Sequence, residues 1–215
     1  TLIDGLTTSE VTMAAANVSI TDVGATRTQV DNVNAFTTGT VTPTSISEDF
    51  ADITALQGTV GISLATTDIT VTDAVTLANA NTLNGYTTGQ VTLQSVADTV
   101  ANITTIDGLT TSEVSMAGAD VSITDTGATK TQVDNVNAFT TGTVTPTSVT
   151  EDRADITTLQ ATTGISLATT DLKVTDAVTL GQANTLNTFT TGTVTLDSVS
   201  DTVANLATLQ ALSNA

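Results

Sequence analysis

Eight acidic residues, Asp22, Glu48, Asp73, Asp98, Asp125, Glu151, Asp176 and Asp201, stand at intervals of 26, 25, 25, 27, 26, 25 and 25 along the chain. Carboxylates at so regular a spacing can do two kinds of chemistry. Each can open a helix, accepting backbone N–H bonds and facing the positive end of the helix dipole. If the chain winds so that they climb one edge about 5 Å apart, they repel one another unless hydrogen bonds or cations compensate, and hard oxygen ligands suit calcium. Helix capping and a calcium-bridged acidic edge are thus two readings of the same eight residues. Acid–base catalysis by the neighbouring pairs Glu48–Asp49 and Glu151–Asp152 is a third. No His, Cys or Trp stands beside those pairs, so the sequence predicts a protein that is not an enzyme, with no catalytic residue and no cofactor.

The elements that position the acids emerge when the chain is compared with itself. Ile3-Asp4-Gly5-Leu6-Thr7-Thr8-Ser9-Glu10 returns as Ile106 to Glu113, and Asp31-Asn32-Val33-Asn34-Ala35-Phe36 as Asp134 to Phe139, both at an offset of 103. The acidic period divides each such block into four coils. Behind Asp98, the residues Val100, Ile103, Ile106 and Leu109 are three apart, which places them along one side of a short helix. So short and Thr-rich a helix is marginal alone in water and needs stacked neighbours.

Thr37-Thr38-Gly39, Thr87-Thr88-Gly89, Thr140-Thr141-Gly142 and Thr190-Thr191-Gly192 read as turns in which Gly supplies a positive φ. Beyond them, Val91-Thr92-Leu93 and Val194-Thr195-Leu196 alternate apolar and polar residues, as do Ile62-Ser63-Leu64 and Val114-Ser115-Met116. The period of two predicts half-buried strands. Pro43 and Pro146 take the third place of this strand in their coils and predict its end or a bulge. A second alternating run appears in every other coil: Val18-Ser19-Ile20, Ile69-Thr70-Val71, Val121-Ser122-Ile123 and Leu172-Lys173-Val174. Phe50 is matched by Arg153, so that site must face solvent at least in part.

The chain has 215 residues and a net charge of −18, from 22 acids against Arg27, Lys130, Arg153 and Lys173 alone. A nucleic-acid backbone is repelled by such a charge. No apolar run approaches the roughly 20 residues of a membrane span, so no membrane insertion is predicted. With no Trp, one Tyr and four Phe, the core must be built from Val, Ile, Leu, Ala and Thr methyl groups. About a quarter of the residues are Thr, which favours strands.

The triplets Thr40-Val41-Thr42, Thr70-Val71-Thr72, Thr143-Val144-Thr145 and Thr193-Val194-Thr195 place paired hydroxyls on presumed strands. A flat array of them would suit a binding face, including one for ice. Asn17-Val18-Ser19 and Asn102-Ile103-Thr104 fit the N-glycosylation pattern, although the matching positions Asp120 and Asn205-Leu206-Ala207 do not.

The coil Asp201-Thr202-Val203-Ala204-Asn205-Leu206, with Thr-Gly-Thr-Val-Thr before it, resembles the D-T-x-A-N-L repeats of very large bacterial surface and secreted proteins, including giant adhesins and RTX-associated ones. The resemblance implies an elongated extracellular module with no catalytic residues to carry over. The Gly-Gly-x-Gly-x-Asp nonapeptide of RTX calcium sites is absent. The expected architecture is an α/β solenoid of coils of about 25 residues, each a short helix with one or two parallel strands; an all-β right-handed β-helix is the alternative. It would run as one continuous solenoid through two blocks, 1–103 and 104–215, the second carrying an extra partial coil. Neither end reads as a capping unit, so the expected partners are adjacent repeats of a longer chain or identical copies joined head to tail. The expected role is a scaffold or spacer at the cell surface, with an adhesin or ice-binding module as the alternative.

Overall fold

The computed structural model describes residues 13–109 and 113–212, the side chains of 209–212 excepted. Two compact units are present: one holds the described residues of 1–96 and 105–116, the other those of 97–104 and 117–215. The chain is α/β, with eight helices among the described residues, which overturns the all-β alternative. High Thr content does not dictate strands here, because Thr also serves at helix starts, where its hydroxyl satisfies an orphan amide.

The first stretch runs β1 (Val18–Ile20), α1 (Arg27–Asn34), β2 (Val41–Pro43), β3 (Ser45–Glu48), α2 (Phe50–Gly58), β4 (Asp68–Val75), α3 (Leu77–Asn84), β5 (Val91–Asp98), α4 (Val100–Gly108) and β6 (Val114–Ser115). The second runs β7 (Asp120–Ile123), α5 (Lys130–Asn137), β8 (Val144–Pro146), β9 (Ser148–Glu151), α6 (Arg153–Ala161), β10 (Asp171–Val178), α7 (Leu180–Asn187), β11 (Val194–Val199) and α8 (Val203–Leu212).

Strands pair in parallel with the corresponding strand about 22 or 23 residues away. In the first unit Val18 faces Val41, Ile46 faces Ile69, Ile69 faces Val91 and Val91 faces Val114. In the second, Val121 faces Val144, Val149 faces Leu172 and Leu172 faces Val194. Like residues stand beside like, so the inward side of each sheet is a row of branched aliphatic side chains. Val41, Ile46, Val71, Val91, Val144 and Val174 are fully buried there, as are Ile53, Leu56, Ile156 and Leu159 on the helices. Parallel strands need long crossovers, and the short helices supply them. Phe50 and Arg153 are both half-exposed, which is why one site accepts either.

Pro43 and Pro146 end β2 and β8, whereas the aligned Leu93 and Leu196 lie inside unbroken strands. The missing N–H cuts the ladder once in each block. Ile62-Ser63-Leu64 does not form the expected strand. Ile62 makes only an isolated bridge to Val41, because its amide is spent on a turn to the Thr59 carbonyl at 3.2 Å. The strand pieces Ser45–Glu48 and Ser148–Glu151 are additional to those expected.

The Thr-Thr-Gly glycines do not adopt positive φ; among the described residues the glycines that do are Gly24, Gly61, Gly127 and Gly164. What the motif requires is closeness. A Cβ on Gly39, Gly89, Gly142 or Gly192 would stand 2.2 to 2.6 Å from the carbonyl oxygen of Ala16, Thr67, Ala119 or Thr170, one coil back. The preceding Thr reaches the same oxygen: Thr37, Thr87, Thr140 and Thr190 donate their hydroxyls at 2.6 to 2.7 Å and are nearly buried. Thr67 and Thr170, fully buried, donate onward to the Pro43 and Pro146 carbonyls at 2.7 Å. Among the described residues no buried side-chain N or O lacks a partner.

Candidate interaction faces

The acidic series does not cap its own helices. That role falls to other residues: Thr26, Thr76, Thr129 and Thr179 accept the third amide of α1, α3, α5 and α7, while Asp49 and Asp152 do so for α2 and α6. The acids reach back one coil instead. Glu48 accepts the Arg27 amide (2.7 Å), Asp73 that of Phe50 (2.8 Å), Asp125 that of Val100 (2.6 Å), Glu151 that of Lys130 (2.7 Å), Asp176 that of Arg153 (2.8 Å) and Asp201 that of Leu180 (2.8 Å). In each case the donor is the first residue of a helix, 21 to 25 positions earlier. Such an amide has no partner inside its helix, and the carboxylate also meets the positive end of the dipole. Asp98 holds the Thr99 amide and the Asn102 side chain, each at 2.8 Å. Asp22 is exposed.

These carboxylates are engaged by N–H donors, and among the described residues no three acidic groups converge on a metal-sized site. Glu48 with Asp49 and Glu151 with Asp152 are likewise occupied in tying and capping helices.

At Asp201 the engagement shifts the ionisation of the carboxyl group. The Leu180 amide, followed by the Asn205 side chain and the Thr202 amide, holds its carboxyl below the ordinary carboxylate range. A depressed folded-state value stabilises the fold above the unfolded value and loses that contribution as pH falls through the folded one. Asp201→Asn should therefore lower the melting temperature at neutral pH, and its deficit should shrink as the pH falls below the normal carboxylate range. Melting curves at a series of pH values test this; a deficit of constant size contradicts it.

A second series went unread in the sequence. Asn17, Asp68, Asp120 and Asp171 offer Oδ1 to the amides of Thr40, Gln90, Thr143 and Thr193 at 2.7 to 2.9 Å. Their positions, 51, 52 and 51 apart, carry the signal. It is hidden because Asn17 opens a series that is otherwise Asp. Asn17, a glycosylation candidate, is one of these turn-clamping groups. Asn102, the other, points its amide at Asp98.

Three of the four cations are paired. Arg27 bonds Asp52 at 2.7 Å, and that hydrogen bond raises its pKa; Lys130 bonds Asp134 at 2.6 Å with the same effect. Lys173 stands 3.5 Å from Asp197. Pairs so open to solvent contribute little to stability.

The strand faces carry the remaining polar chemistry. In the first unit Ser47, Thr70, Thr92 and Ser115 lie side by side on four paired strands. The equivalent row of the second unit reads Thr150, Lys173, Thr195. Each row borders an open groove, about 630 Å³ beside Gly24, Ser45 and Asp68 and about 340 Å³ beside Gly127, Ser148 and Asp171. The Thr-x-Thr triplets do not stack on one another: Val41 pairs with Val18 and Ile62, whereas Val71 pairs with Glu48 and Leu93. Both Thr of each triplet do face outward, half or fully exposed. No helix among the described residues is long and apolar enough to cross a membrane.

No protein-family model, curated protein or solved structure matches the chain. The class is thus defined by geometry alone, as an α/β chain of parallel strands whose helix starts and turns are closed by groups one repeat away.

Proposed function

We propose that the chain is a structural repeat segment of a long extracellular bacterial surface or filament protein, a solenoid acting as scaffold and spacer. The observation that supports this most is the acid-to-helix series: a helix start in one coil is completed by a carboxylate from the next. A coil built in this way is unfinished alone and favours a neighbour, so length is what the design supplies. The acidic, hydroxyl-rich exterior keeps a long surface hydrated and apart from other polyanions. The outward rows mix Ser, Thr and Lys, which favours a spacer over a flat plane of Thr for ice.

Chains carrying one, two and four of the 103-residue blocks test the reading. Four coils at the strand spacing of about 4.8 Å should add roughly 19 Å of contour length per block on the strand side. Helices are about 10 Å across, so the particles should curve. Electron micrographs and solution scattering should show length rising in proportion to block number. Particles whose radius of gyration grows only as about the 0.38 power of residue number, as compact domains do, would refute it.

A further inference from the structure

Four helices end on asparagine: α1 at Asn34, α3 at Asn84, α5 at Asn137 and α7 at Asn187. The residues that follow, Ala35, Gly85, Ala138 and Thr188, all hold right-handed helical geometry, with φ between −67° and −78°. Residues with a Cβ are at home in that conformation. A glycine is therefore not needed at 85 to make the turn, and a Cβ there would stand 3.3 Å from the Thr82 oxygen, a contact that a small shift relieves. What the glycine does create is the one Asn-Gly pair of the chain.

Chemically that pair is set apart. The main-chain nitrogen after an asparagine can attack the side-chain carbonyl carbon, and glycine, without a Cβ, leaves that nitrogen least hindered and the backbone freest to turn. The N–Cγ bond forms and the Cγ–Nδ2 bond breaks, the amide proton leaving in ammonia. Water then opens the five-membered imide at either carbonyl, giving an aspartate or an isoaspartate. No oxidant or reductant is needed.

The fold opposes the first step. Attack requires the Gly85 nitrogen to swing toward Cγ of Asn84, away from the helical ψ, and to give up its proton. Asn84 is the last residue of α3, and the Gly85 amide donates to the Asn81 and Thr82 carbonyls at 3.2 and 3.1 Å. Buried Leu83 anchors the same turn. Solvent nevertheless reaches the pair, since Asn84 is half-exposed and Gly85 exposed. The obstacle is thus conformation rather than access, and it falls whenever the last turn of α3 opens.

We propose that Asn84-Gly85 is a deamidation site gated by the closure of α3, so that an opening of this coil is recorded as a covalent change. Either product sets a carboxylate at the C-terminal end of the helix, where the dipole disfavours it. The isoaspartate also adds a carbon to the main chain just ahead of Thr87 and Gly89. Both of these reach back to the Thr67 carbonyl oxygen: the Thr87 hydroxyl donates to it at 2.7 Å, and a Cβ on Gly89 would stand 2.6 Å from it. A main chain lengthened there cannot restore both contacts, so a coil that has opened long enough to react does not close as before. The proposal goes beyond the spacer reading and does not depend on it.

The whole chain, held at mildly alkaline pH either folded or in urea, tests this by peptide mass mapping of amide converted to acid. In urea Asn84 should convert at least about tenfold faster than Asn34 or Asn137, each of which is followed by Ala. In the folded chain Asn84 should convert at least about tenfold more slowly than in urea, because only the opened fraction reacts. Gly85→Ala should slow the urea reaction to the rate at Asn34 and leave helical circular dichroism as it is, since Ala35 and Ala138 already hold the matching place. Leu83→Ala, or urea below the unfolding midpoint, should speed the reaction of the folded chain. Equal rates at Asn84 in the folded and unfolded chain would remove the gate, and a rate in urea no faster than that at Asn34 would remove the site itself.

Discussion

Gly142→Ala is expected to destabilise the fold by about 3 kcal/mol or more, among the larger effects a single methyl group can have. The added Cβ would stand 2.2 Å from the Ala119 oxygen and 2.6 Å from its carbon, both main-chain atoms. A flexible side chain could swing aside, but this carbonyl is pinned. It accepts the Thr140 hydroxyl at 2.6 Å, and that hydroxyl in turn accepts the Gly142 amide at 2.9 Å. Relief means separating the two coils, at the expense of the Thr141 amide bond to Ala117 (2.8 Å) and the Thr143 amide bond to Asp120 (2.8 Å). Gly118→Ala is the control. A Cβ there meets nothing within 4 Å, and Ala15 already occupies the matching place in the first copy. It should change stability by no more than about 0.5 kcal/mol. Urea unfolding of both variants decides it; equal midpoints would show that the close approach is not what the motif is for.

That glycine illustrates what was legible in the sequence and what was not. Periodicity located all eight helices and the paired strands of β1, β4, β5, β7, β10 and β11, because hydrophobic spacing reports which side of an element is covered. The sequence also carries Ile53 and Leu56 unchanged into the second copy as Ile156 and Leu159, and all four are buried. It could not say which coil a polar side chain serves. Asp176 lies four residues before α7, yet its carboxylate holds the first amide of α6, 23 positions back. Local capping rules assign an acid to the helix that follows it; the actual partner depends on how far successive coils are displaced, which no local spacing encodes. The Thr-Thr-Gly motif misleads for the same reason. Its glycine looks like a conformational requirement, whereas the constraint comes from a carbonyl one coil away. Ile62 fails in the opposite direction: its alternation is sound, but a turn ending at Gly61, with φ of +89°, has already taken its amide.

Leu159→Ala is expected to cost about 2–5 kcal/mol, the range for truncating a buried leucine. Leu159 is wholly buried on α6 beside Ile156, one helical turn earlier. Its surroundings are poor at closing a cavity. The described core is made of Val, Ile, Leu and Ala with Met116 the one unbranched long side chain, and β-branched residues have few rotamers with which to fill space. The main chain gives no relief either, because the Leu159 carbonyl is tied to the Thr162 amide at 3.0 Å. Where the loss is felt distinguishes a stacked array from a single cooperative globule. With nearest-neighbour coupling, amide exchange should quicken most at Ile156 and in the flanking helices at Val133 and Ala183, and least at Ile53 in the other unit. The Ile53 amide makes the same bond to Asp49 that Ile156 makes to Asp152, each at 3.1 Å, so the two report from matched settings. Equal acceleration at both would mean that the coils unfold as one body, and the modular account of stability would have to be given up.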